Sequence, residues 1–391
     1  MNIGLVVEHL DPRRGGVEQW SWQFAHRVAA LGHRVHVIAQ SFGPQPLGEG
    51  VVAHPLGKAR SRLQFAAAAE TQARWLDLDV VHDTGCGSYA DVFQPHGGSR
   101  TAAFEQNLLL APRWLRTVKR HTARWLPRYR EFDRLVARQY GNSQTTYLAI
   151  SRMVADDLHQ HHQVPREQIA LVYNGVDLER FSPEHQRQHR QRVRTELRVA
   201  DDEVLLLIVA HNFRLKGVPT LLRSTARLAR ERRAVRLAVA GGKHLDSWRR
   251  AAGRLGIERR TTFVGSIDDP VPYYAAADVY VQPTFYDPCS LVLLEALASG
   301  LPVVTSRFNG AGELLDSGKQ GFVIDDPANA DELAEALRPM WDADRRHAMS
   351  RAARALAEEH SLERNCREIL ALYERCAGLR RRSGPRQSDA A

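Results

Sequence analysis

The chain has 391 residues, of which 43% are hydrophobic and 25% charged, with a formal net charge of +9 at pH 7. This length predicts two or three domains, and the lack of any run of 18 apolar residues excludes a membrane-spanning helix. The basic excess favours an anionic partner: a nucleotide, a phosphorylated glycan, a membrane surface or a nucleic acid. Four scattered cysteines without paired metal spacing, and an amino terminus that reads as a strand rather than a signal peptide, favour a cytoplasmic protein.

The amino-terminal part alternates short apolar strands with amphipathic helices, which is typical of a doubly wound parallel sheet. Strands are predicted over 2–8 and 35–38, with a helix over 18–31 between them. Gly15 and Gly16 lie in the loop before that helix. Because glycine lets the backbone approach a ligand closely, both are candidate binding residues, and a plain tight turn is the alternative.

Two further strands are predicted over 79–82 and 90–93. Asp77 and Asp79 spell D-x-D, a metal-binding spacing, but we interpret them as the polar start of a strand and expect no metal. His96 follows the second strand in a Gln-Pro-His-Gly-Gly loop. It is a candidate polar residue of a site, although a histidine in a loop is more often a surface residue.

The segment 107–140 is unusually basic, because nine Lys and Arg residues face only Glu131 and Asp133. Aromatic and aliphatic residues recur within it at helical spacing. This pattern predicts a basic amphipathic helix on an anionic membrane surface, with each cation contributing about 1 kcal/mol. A solvated helix packed on its domain is the alternative. Nucleic-acid binding is not expected, because no motif for it is present.

A polar run over 184–194 is predicted to begin the linker into a second domain. The strand–loop–helix pattern then restarts, with an apolar strand over 204–210 and a helix over 219–230. Arg214 and Lys216 lie in the intervening loop. Cations at a helix start oppose the helix dipole unless an anion binds there, so both are candidate phosphate ligands. Two solvated cations are the alternative.

The most informative stretch is 284–304, which reads as a loop, an apolar helix and a buried strand. Asp287 is expected to cap the turn into the helix, and Glu295 is the one charge within it. The amides of Ser290 and Leu291 at the helix start are expected to attract phosphate. A capping aspartate and a glutamate paired in the core are the alternative interpretation.

This stretch resembles the E-x7-E motif of retaining GT-B glycosyltransferases of glycosyltransferase family 4, most like the lipopolysaccharide core α-glucosyltransferases. Residues 174–183 are similar to the family's N-G-V-D-x-x-x-F-x-P passage. Arg214 and Lys216 match the two cations of the family's R…K-G-x-x-x-L-L signature. The resemblance implies that Glu295 holds the ribose and Asp287 the sugar hydroxyls. Asp287 stands where the family more often has glutamate.

The resemblance also implies an α/β fold of two Rossmann-like domains with parallel sheets facing across a cleft. We expect an acceptor-binding domain over 1–183, a sugar-donor domain over 184–360, a helix over 361–376 that packs back on the first domain, and a disordered tail over 380–391. Asp287, Glu295 and His96 are then the candidate catalytic residues. The candidate donor-binding residues are Gly15, Gly16, Arg214, Lys216, Ser290, Leu291 and Glu295.

The implied reaction transfers a hexose from a nucleotide sugar to a hydroxyl, without a metal or other cofactor. UDP-glucose is the favoured donor and GDP-mannose the runner-up. The expected acceptor is a lipopolysaccharide-type or lipid-linked glycan at the inner-membrane surface. Two rivals stay open: a nicotinamide-dependent dehydrogenase, which lacks a G-x-G-x-x-G after a strand here, and a non-catalytic membrane- or polyanion-binding protein.

Overall fold

The computed structural model describes residues 1–123, 125 and 127–383. Over these residues the chain divides into two compact units, each with its own parallel sheet. Unit 1 contains the described residues of 1–102, 112–173 and 363–383, and unit 2 contains 103–111 and 174–362. The division falls at 173/174 rather than at the expected 183/184. The reason is that Asn174 already donates a 3.0 Å hydrogen bond to the carbonyl of Cys289 in unit 2.

The strands of unit 1 are short, and those at the centre of its sheet are buried on both faces, as expected for apolar runs in a parallel sheet. They are β1 Asn2–Val6, β2 His9–Leu10, β3 Arg34–Ala39, β4 Ser41–Phe42, β5 Val51–Pro55, β6 Val80–Asp83, β7 Val92–Phe93, β8 Thr146–Ala149 and β9 Ile169–Leu171. Within the described residues, the main sheet has the order β5-β3-β1-β6-β7-β8-β9, and β2 pairs with β4. The strand order therefore reverses between β1 and β6.

The helices described before residue 163 include those of the basic segment. They are α1 Gly16–Ala30, α2 Arg62–Trp75, α3 Arg100–Leu109, α4 Arg113–Ala123, α5 Pro127–Gln139 and α6 Arg152–His162. The prediction of one basic helix over 107–140 is therefore wrong, because the segment contains the end of α3 and two further helices. Pro112 and Pro127 explain the division, since proline favours a helix start and disrupts a helix interior.

Unit 2 repeats the alternation of strands and helices around a second parallel sheet. Its helices are α7 His185–Glu196, α8 Val218–Arg230, α9 Leu245–Arg254, α10 Val271–Ala276, α11 Leu291–Ala298, α12 Ala330–Leu337 and α13 Ala343–Glu358. Its strands are β10 Val204–Val209, β11 Val235–Ala240, β12 Thr261–Gly265, β13 Val279–Gln282, β14 Val303–Ser306 and β15 Gly321–Ile324. Their order in the described sheet is β12-β11-β10-β13-β14-β15, and their apolar side chains form the core of the unit.

The predicted linker over 184–194 is instead part of α7, which packs against α10. Its arginines are not solvated: Arg194 donates a 2.9 Å hydrogen bond to Asp278, and Arg190 donates to the other oxygen of the same carboxylate. A polar run forms a packed helix here because its charges find a carboxylate and backbone carbonyls in the second unit.

The last described helix is α14 Leu362–Ser383, which belongs to unit 1 from Glu363 onward. Trp20 of α1 donates a 3.2 Å hydrogen bond to Asn365, and Tyr373 hydrogen-bonds His82 of β6. Residues 380–383 of the predicted disordered tail are helical, and the rest of that prediction lies outside the described residues. No helix in the described ranges is long and apolar enough to cross a membrane.

Candidate active site

Two loops of unit 2 meet at the carboxyl ends of β10 and β13. The backbone amide of Phe285 donates a 2.8 Å hydrogen bond to the carbonyl of Leu215, which joins the loops. Gly217 makes the approach possible, because a Cβ there would lie 2.0 Å from the carbonyl oxygen of Pro283, and its φ is +79°. Only glycine combines that conformation with that contact. The loop carrying Lys216 is therefore held against the stretch that carries Asp287.

Lys216 and Asp287 form an ion pair, with 2.6 Å between Nζ and Oδ2. Asp287 is 8% exposed and also accepts a 3.0 Å hydrogen bond from the side-chain amide of Gln282. In this structure Asp287 is therefore the anion that Lys216 contacts. Arg214 lies on the same loop with an exposed side chain, and among the described residues its guanidinium forms no ion pair.

The residue that caps α11 is Ser290, so the expectation that Asp287 caps it is wrong. The hydroxyl of Ser290 accepts from the amide of Leu293 at 3.4 Å and donates to the side-chain oxygen of Gln282 at 2.9 Å. Asp287 lies too early in the chain for this role, because its backbone pairs instead with the strand-like segment around Asn309. Gln282 thus links the acidic side chain to the helix cap.

The two amides expected to attract phosphate differ in their surroundings. The amide of Ser290 donates a long 3.4 Å hydrogen bond to the side chain of Asn309. Leu291 is the first residue of α11, so its amide has no acceptor within the helix. The start of α11 therefore offers the Leu291 amide as a donor, at a helix end where the dipole favours negative charge.

Glu295 is 5% exposed and accepts a 2.9 Å hydrogen bond from the hydroxyl of Tyr274. Burial raises the pKa of this carboxyl to about 7, while the Tyr274 hydrogen bond acts in the opposite direction. A carboxylate in such a place gains from further hydroxyl donors that stabilise its charged form. The Glu295 carboxylate can accept hydrogen bonds from a pair of neighbouring hydroxyls. Its contact with Tyr274 also fits the alternative interpretation, in which Glu295 is paired within the core.

The other candidate residues lie in unit 1. Gly15 precedes α1 with an extended backbone, and a Cβ there would lie 3.0 Å from a carboxylate oxygen of Glu18. Gly16 is the first residue of α1. His96 is 8% exposed, and its ring centroid lies 4.4 Å from that of Trp20. Its Nε2 atom has no hydrogen-bond partner among the residues that the structure describes. Burial lowers the pKa of His96 to about 3, so its imidazole is neutral at pH 7.

Three residues that organise the unit 2 site were not singled out from the sequence. Gln282 is the polar last residue of a strand that is otherwise apolar, and that position is a usable signal for a site residue. Asn309 lies in a loop whose role only its backbone pairing reveals. Tyr274 carried no signal, because an aromatic residue in an apolar helix is most often part of a core.

The arrangement in unit 2 combines donors for an anion with acceptors for hydroxyls. Lys216, Arg214 and the amide of Leu291 can bind phosphate oxygens, and the carboxylates of Asp287 and Glu295 can accept from hydroxyls. Among residues 1–123, 125 and 127–383, no group of three or more His, Cys, Asp or Glu could hold a metal ion.

Comparison with known families agrees with this division of the chain. Residues 14–180 match the family described as Glycosyltransferase Family 4, and residues 189–356 match Glycosyl transferases group 1. Together the two matches cover most of both units. The first match ends at residue 180, shortly after the division at 173/174, and the second begins at residue 189.

Individual proteins match over nearly the whole chain. The D-inositol 3-phosphate glycosyltransferase of Corynebacterium urealyticum is 27% identical, covering 95% of each chain. The lipopolysaccharide glucosyltransferase WaaG of Escherichia coli is 26% identical, covering 83% of this chain and 85% of that protein. Three further relatives are matched over only 51% to 60% of their own length.

The crystal structure of WaaG, a glycosyltransferase involved in lipopolysaccharide biosynthesis, superimposes with a TM-score of 0.76 at 23% identity, covering 96% of this chain and 99% of that one. At that identity the likeness shows the fold. The predicted family, fold and enzyme class are confirmed by the two family matches, by the two parallel sheets and by this superposition. The chain belongs to the GT-B glycosyltransferases, with a family 4 domain followed by a group 1 domain.

Proposed function

We propose that this glycosyltransferase moves a hexose, with glucose favoured, from a UDP-sugar to a hydroxyl of a lipopolysaccharide-type or lipid-linked glycan, with retention at the anomeric carbon. The observation that carries the proposal is the Lys216–Asp287 pair at the start of α11, with the buried Glu295 in the same helix. The glucosyltransferase name of the Escherichia coli relative supports glucose and the glycan acceptor.

The nucleotide would contact both the cationic groups and the buried carboxylate of this site. Glu295 accepts from the ribose hydroxyls, while Arg214, Lys216 and the Leu291 amide bind the diphosphate. Because Lys216 contacts Asp287 in this structure, diphosphate binding draws the ammonium group away from that carboxylate. Asp287 then accepts from hydroxyls of the transferred sugar. The ion pair thus keeps both side chains in place before the substrate arrives.

Retention follows from a front-face route. The bond between the sugar C1 and the diphosphate oxygen breaks while the acceptor oxygen bonds to C1 on the same face. The acceptor proton passes to the departing diphosphate, so no enzymic nucleophile is needed. Fixed cations stabilise the charge that develops on the leaving group, in place of a metal. His96, as a neutral imidazole, contributes a hydrogen bond to the sugar.

A second acceptor class is a phosphorylated polyol. The name of the Corynebacterium urealyticum relative, which matches over 95% of each chain, supports this class. Either class leaves the proposed role of unit 2 unchanged, because the sugar donor would bind there in both cases.

We also propose peripheral contact with an anionic membrane through the basic segment. In α4, Trp114 is 73% exposed and Val118 is 53% exposed, and both lie on the same face, four residues apart. Exposed Lys119 and Arg120 follow them, and Trp125 beyond the helix is 77% exposed. Exposed tryptophans beside cations are typical of elements that lie in a membrane interface.

The test is calorimetry without metal against UDP, GDP, ADP, TDP, their hexose conjugates and NAD. We expect UDP and one UDP-hexose to bind. Glu295→Ala and Lys216→Ala should each abolish transfer and weaken nucleotide binding, while the melting temperature of the protein shows that it still folds. Lys319→Ala is the control, because Lys319 is an exposed lysine of the same unit whose ion pair is with the exposed Asp316. Full turnover in either site variant, or binding of NAD alone, would refute the assignment.

A further inference from the structure

Gln282, the last residue of β13, is fully buried in the unit 2 site and has a fixed orientation. Its amide nitrogen donates to Oδ2 of Asp287 at 3.0 Å, and its amide oxygen accepts from the hydroxyl of Ser290 at 2.9 Å. Because a carboxylate cannot donate a hydrogen bond, the nitrogen must face Asp287 and the oxygen must face Ser290. The partners of Gln282 therefore decide which way its amide group points.

A second hydroxyl lies against the oxygen of Gln282. The proton of the Tyr280 phenol is shared between this oxygen at 3.3 Å and the carbonyl of Val209 at 3.5 Å. Burial raises the pKa of the Tyr280 phenol well above its usual range, so this proton stays in place. Turning the Gln282 side chain would leave buried polar groups unpaired, and the cost of such groups holds it where it is.

The two oxygens of Asp287 have different surroundings. Oδ2 accepts from Gln282 and also from Lys216, whose Nζ atom lies 2.6 Å away. Oδ1 accepts no hydrogen bond from the described residues, and 11% of the Asp287 side chain is accessible to solvent. Oδ1 is therefore the oxygen that is left for a substrate hydroxyl.

Lys216 and Gln282 differ in how permanently they hold Asp287. The side chain of Lys216 lies on a loop and is 21% accessible, and the proposed function moves its ammonium group to the diphosphate. Gln282 lies in a strand and is buried, so it stays. It is then the one described side chain that still donates to Asp287. A carboxylate that is only 8% exposed needs such a donor to remain charged and in place.

We propose that Gln282 is a positioning residue for the transferred sugar: it holds the Asp287 carboxylate so that Oδ1 accepts from a sugar hydroxyl after Lys216 has moved to the diphosphate. This inference rests on the proposed glycosyl transfer. It deepens that proposal by assigning recognition of the sugar and recognition of the nucleotide to different groups of one site. Loss of the Gln282 donor should therefore weaken binding of the nucleotide sugar and leave binding of the nucleoside diphosphate unchanged.

The test is calorimetry on the full chain with UDP and with UDP-glucose, in the absence of an acceptor. The quantity compared is the ratio of the dissociation constant of UDP-glucose to that of UDP. Both ligands share the contacts to ribose and diphosphate, so the titration of Glu295 cancels from this ratio. If GDP is the diphosphate that binds, GDP and GDP-mannose replace the two probes.

Gln282→Met keeps the length of the side chain and removes its donor. The ratio should rise about 10- to 100-fold, as expected for loss of a hydrogen bond to a charged group, with the affinity for UDP unchanged.

Gln282→Glu keeps an oxygen acceptor for Ser290 but brings a second carboxylate beside Asp287. The ratio should rise at about pH 8 and fall back toward the wild-type value at about pH 5, because adjacent carboxylates then share a proton and restore the hydrogen bond. In Gln282→Met, which has no group to protonate there, the raised ratio should not recover at the lower pH.

Gln320 supplies the matched control, because it is another buried glutamine of unit 2. It is 4% exposed, and its side-chain oxygen accepts from the amide of Asp316 at 2.9 Å. It precedes β15, at the amino-terminal end of that strand, whereas Gln282 ends its strand. Gln320→Met and Gln320→Glu should leave the ratio unchanged at both pH values. The melting temperature of each variant shows whether it folds.

An unchanged ratio in both Gln282 variants would overturn the inference. An equal loss of affinity for UDP and UDP-glucose would do the same, since it would make Gln282 a structural residue of the whole site. So would a raised ratio in Gln282→Glu that does not respond to pH. These outcomes are distinct from failure of the proposed function, which would appear as a wild type that binds no nucleoside diphosphate or as full turnover in the Glu295 and Lys216 variants.

Discussion

The burial of Glu295 makes a prediction about how stability depends on pH. Its pKa is about 7 in the folded protein against an ordinary value of 4.5. Between these two values the unfolded chain releases the Glu295 proton while the folded chain keeps it. Stability therefore falls as pH rises through this window, by about 1.4 kcal/mol per pH unit. The whole penalty is about 3 kcal/mol, and it is complete above pH 7.

Glu295→Gln removes this titration and keeps a side chain of similar size that can accept from Tyr274. We expect the variant to gain about 3 kcal/mol of stability relative to the wild type between pH 4.5 and pH 8. The measurement is urea unfolding of both proteins across this range, followed by the signal of unit 2. Glu179→Gln, which changes an exposed carboxylate of the same unit, is the matched control. Parallel pH profiles for the wild type and Glu295→Gln would refute the burial argument.

The same titration tests the contact with ribose. If ribose hydroxyls donate to Glu295, UDP binding stabilises the charged form and lowers its pKa. Binding at pH 6.5 should then release up to about 0.8 proton per site, measured by calorimetry in buffers of different ionisation enthalpy. In Glu295→Gln this release should disappear. Proton release that is the same in both proteins would assign it to another group.

Two further predictions concern the loop of Lys216 and the basic segment. In thermal unfolding, Gly217→Ala should destabilise unit 2 by about 3 kcal/mol or more, because the new Cβ would clash with Pro283. Gly256→Ala is the control: its φ is +75°, its Cβ would meet no described atom within 4 Å, and the variant should lose only about 1 kcal/mol of stability. Equal losses would show that the close approach is not tight in solution. Trp114→Ser should reduce sedimentation with anionic vesicles, while Trp75→Ser, an equally exposed tryptophan of α2, should not. Unchanged sedimentation of the Trp114 variant would leave α4 as a solvated helix.

Much of the fold was predictable because parallel sheets buried on both faces require continuous apolar strands. The runs over 2–8 and 204–210 therefore marked strands of both sheets, and the motif around Asp287 and Glu295 indicated the family that the comparisons confirm. The roles of the individual site residues stay predictions. The polar run over 184–194 was misread, because composition alone does not reveal that Asp278 would pair with its arginines.

From local sequence followed most strands of both sheets, the helix of the central motif, and the loop that carries Arg214 and Lys216. Apolar periodicity and backbone restriction act over a few residues, so a linear reading detects them. Only the tertiary structure showed that Lys216 pairs with Asp287 and that Ser290 rather than Asp287 caps α11. Lys216 and Asp287 lie 71 residues apart in the chain. Their meeting depends on strand order and on close backbone approaches, which no single stretch of sequence encodes.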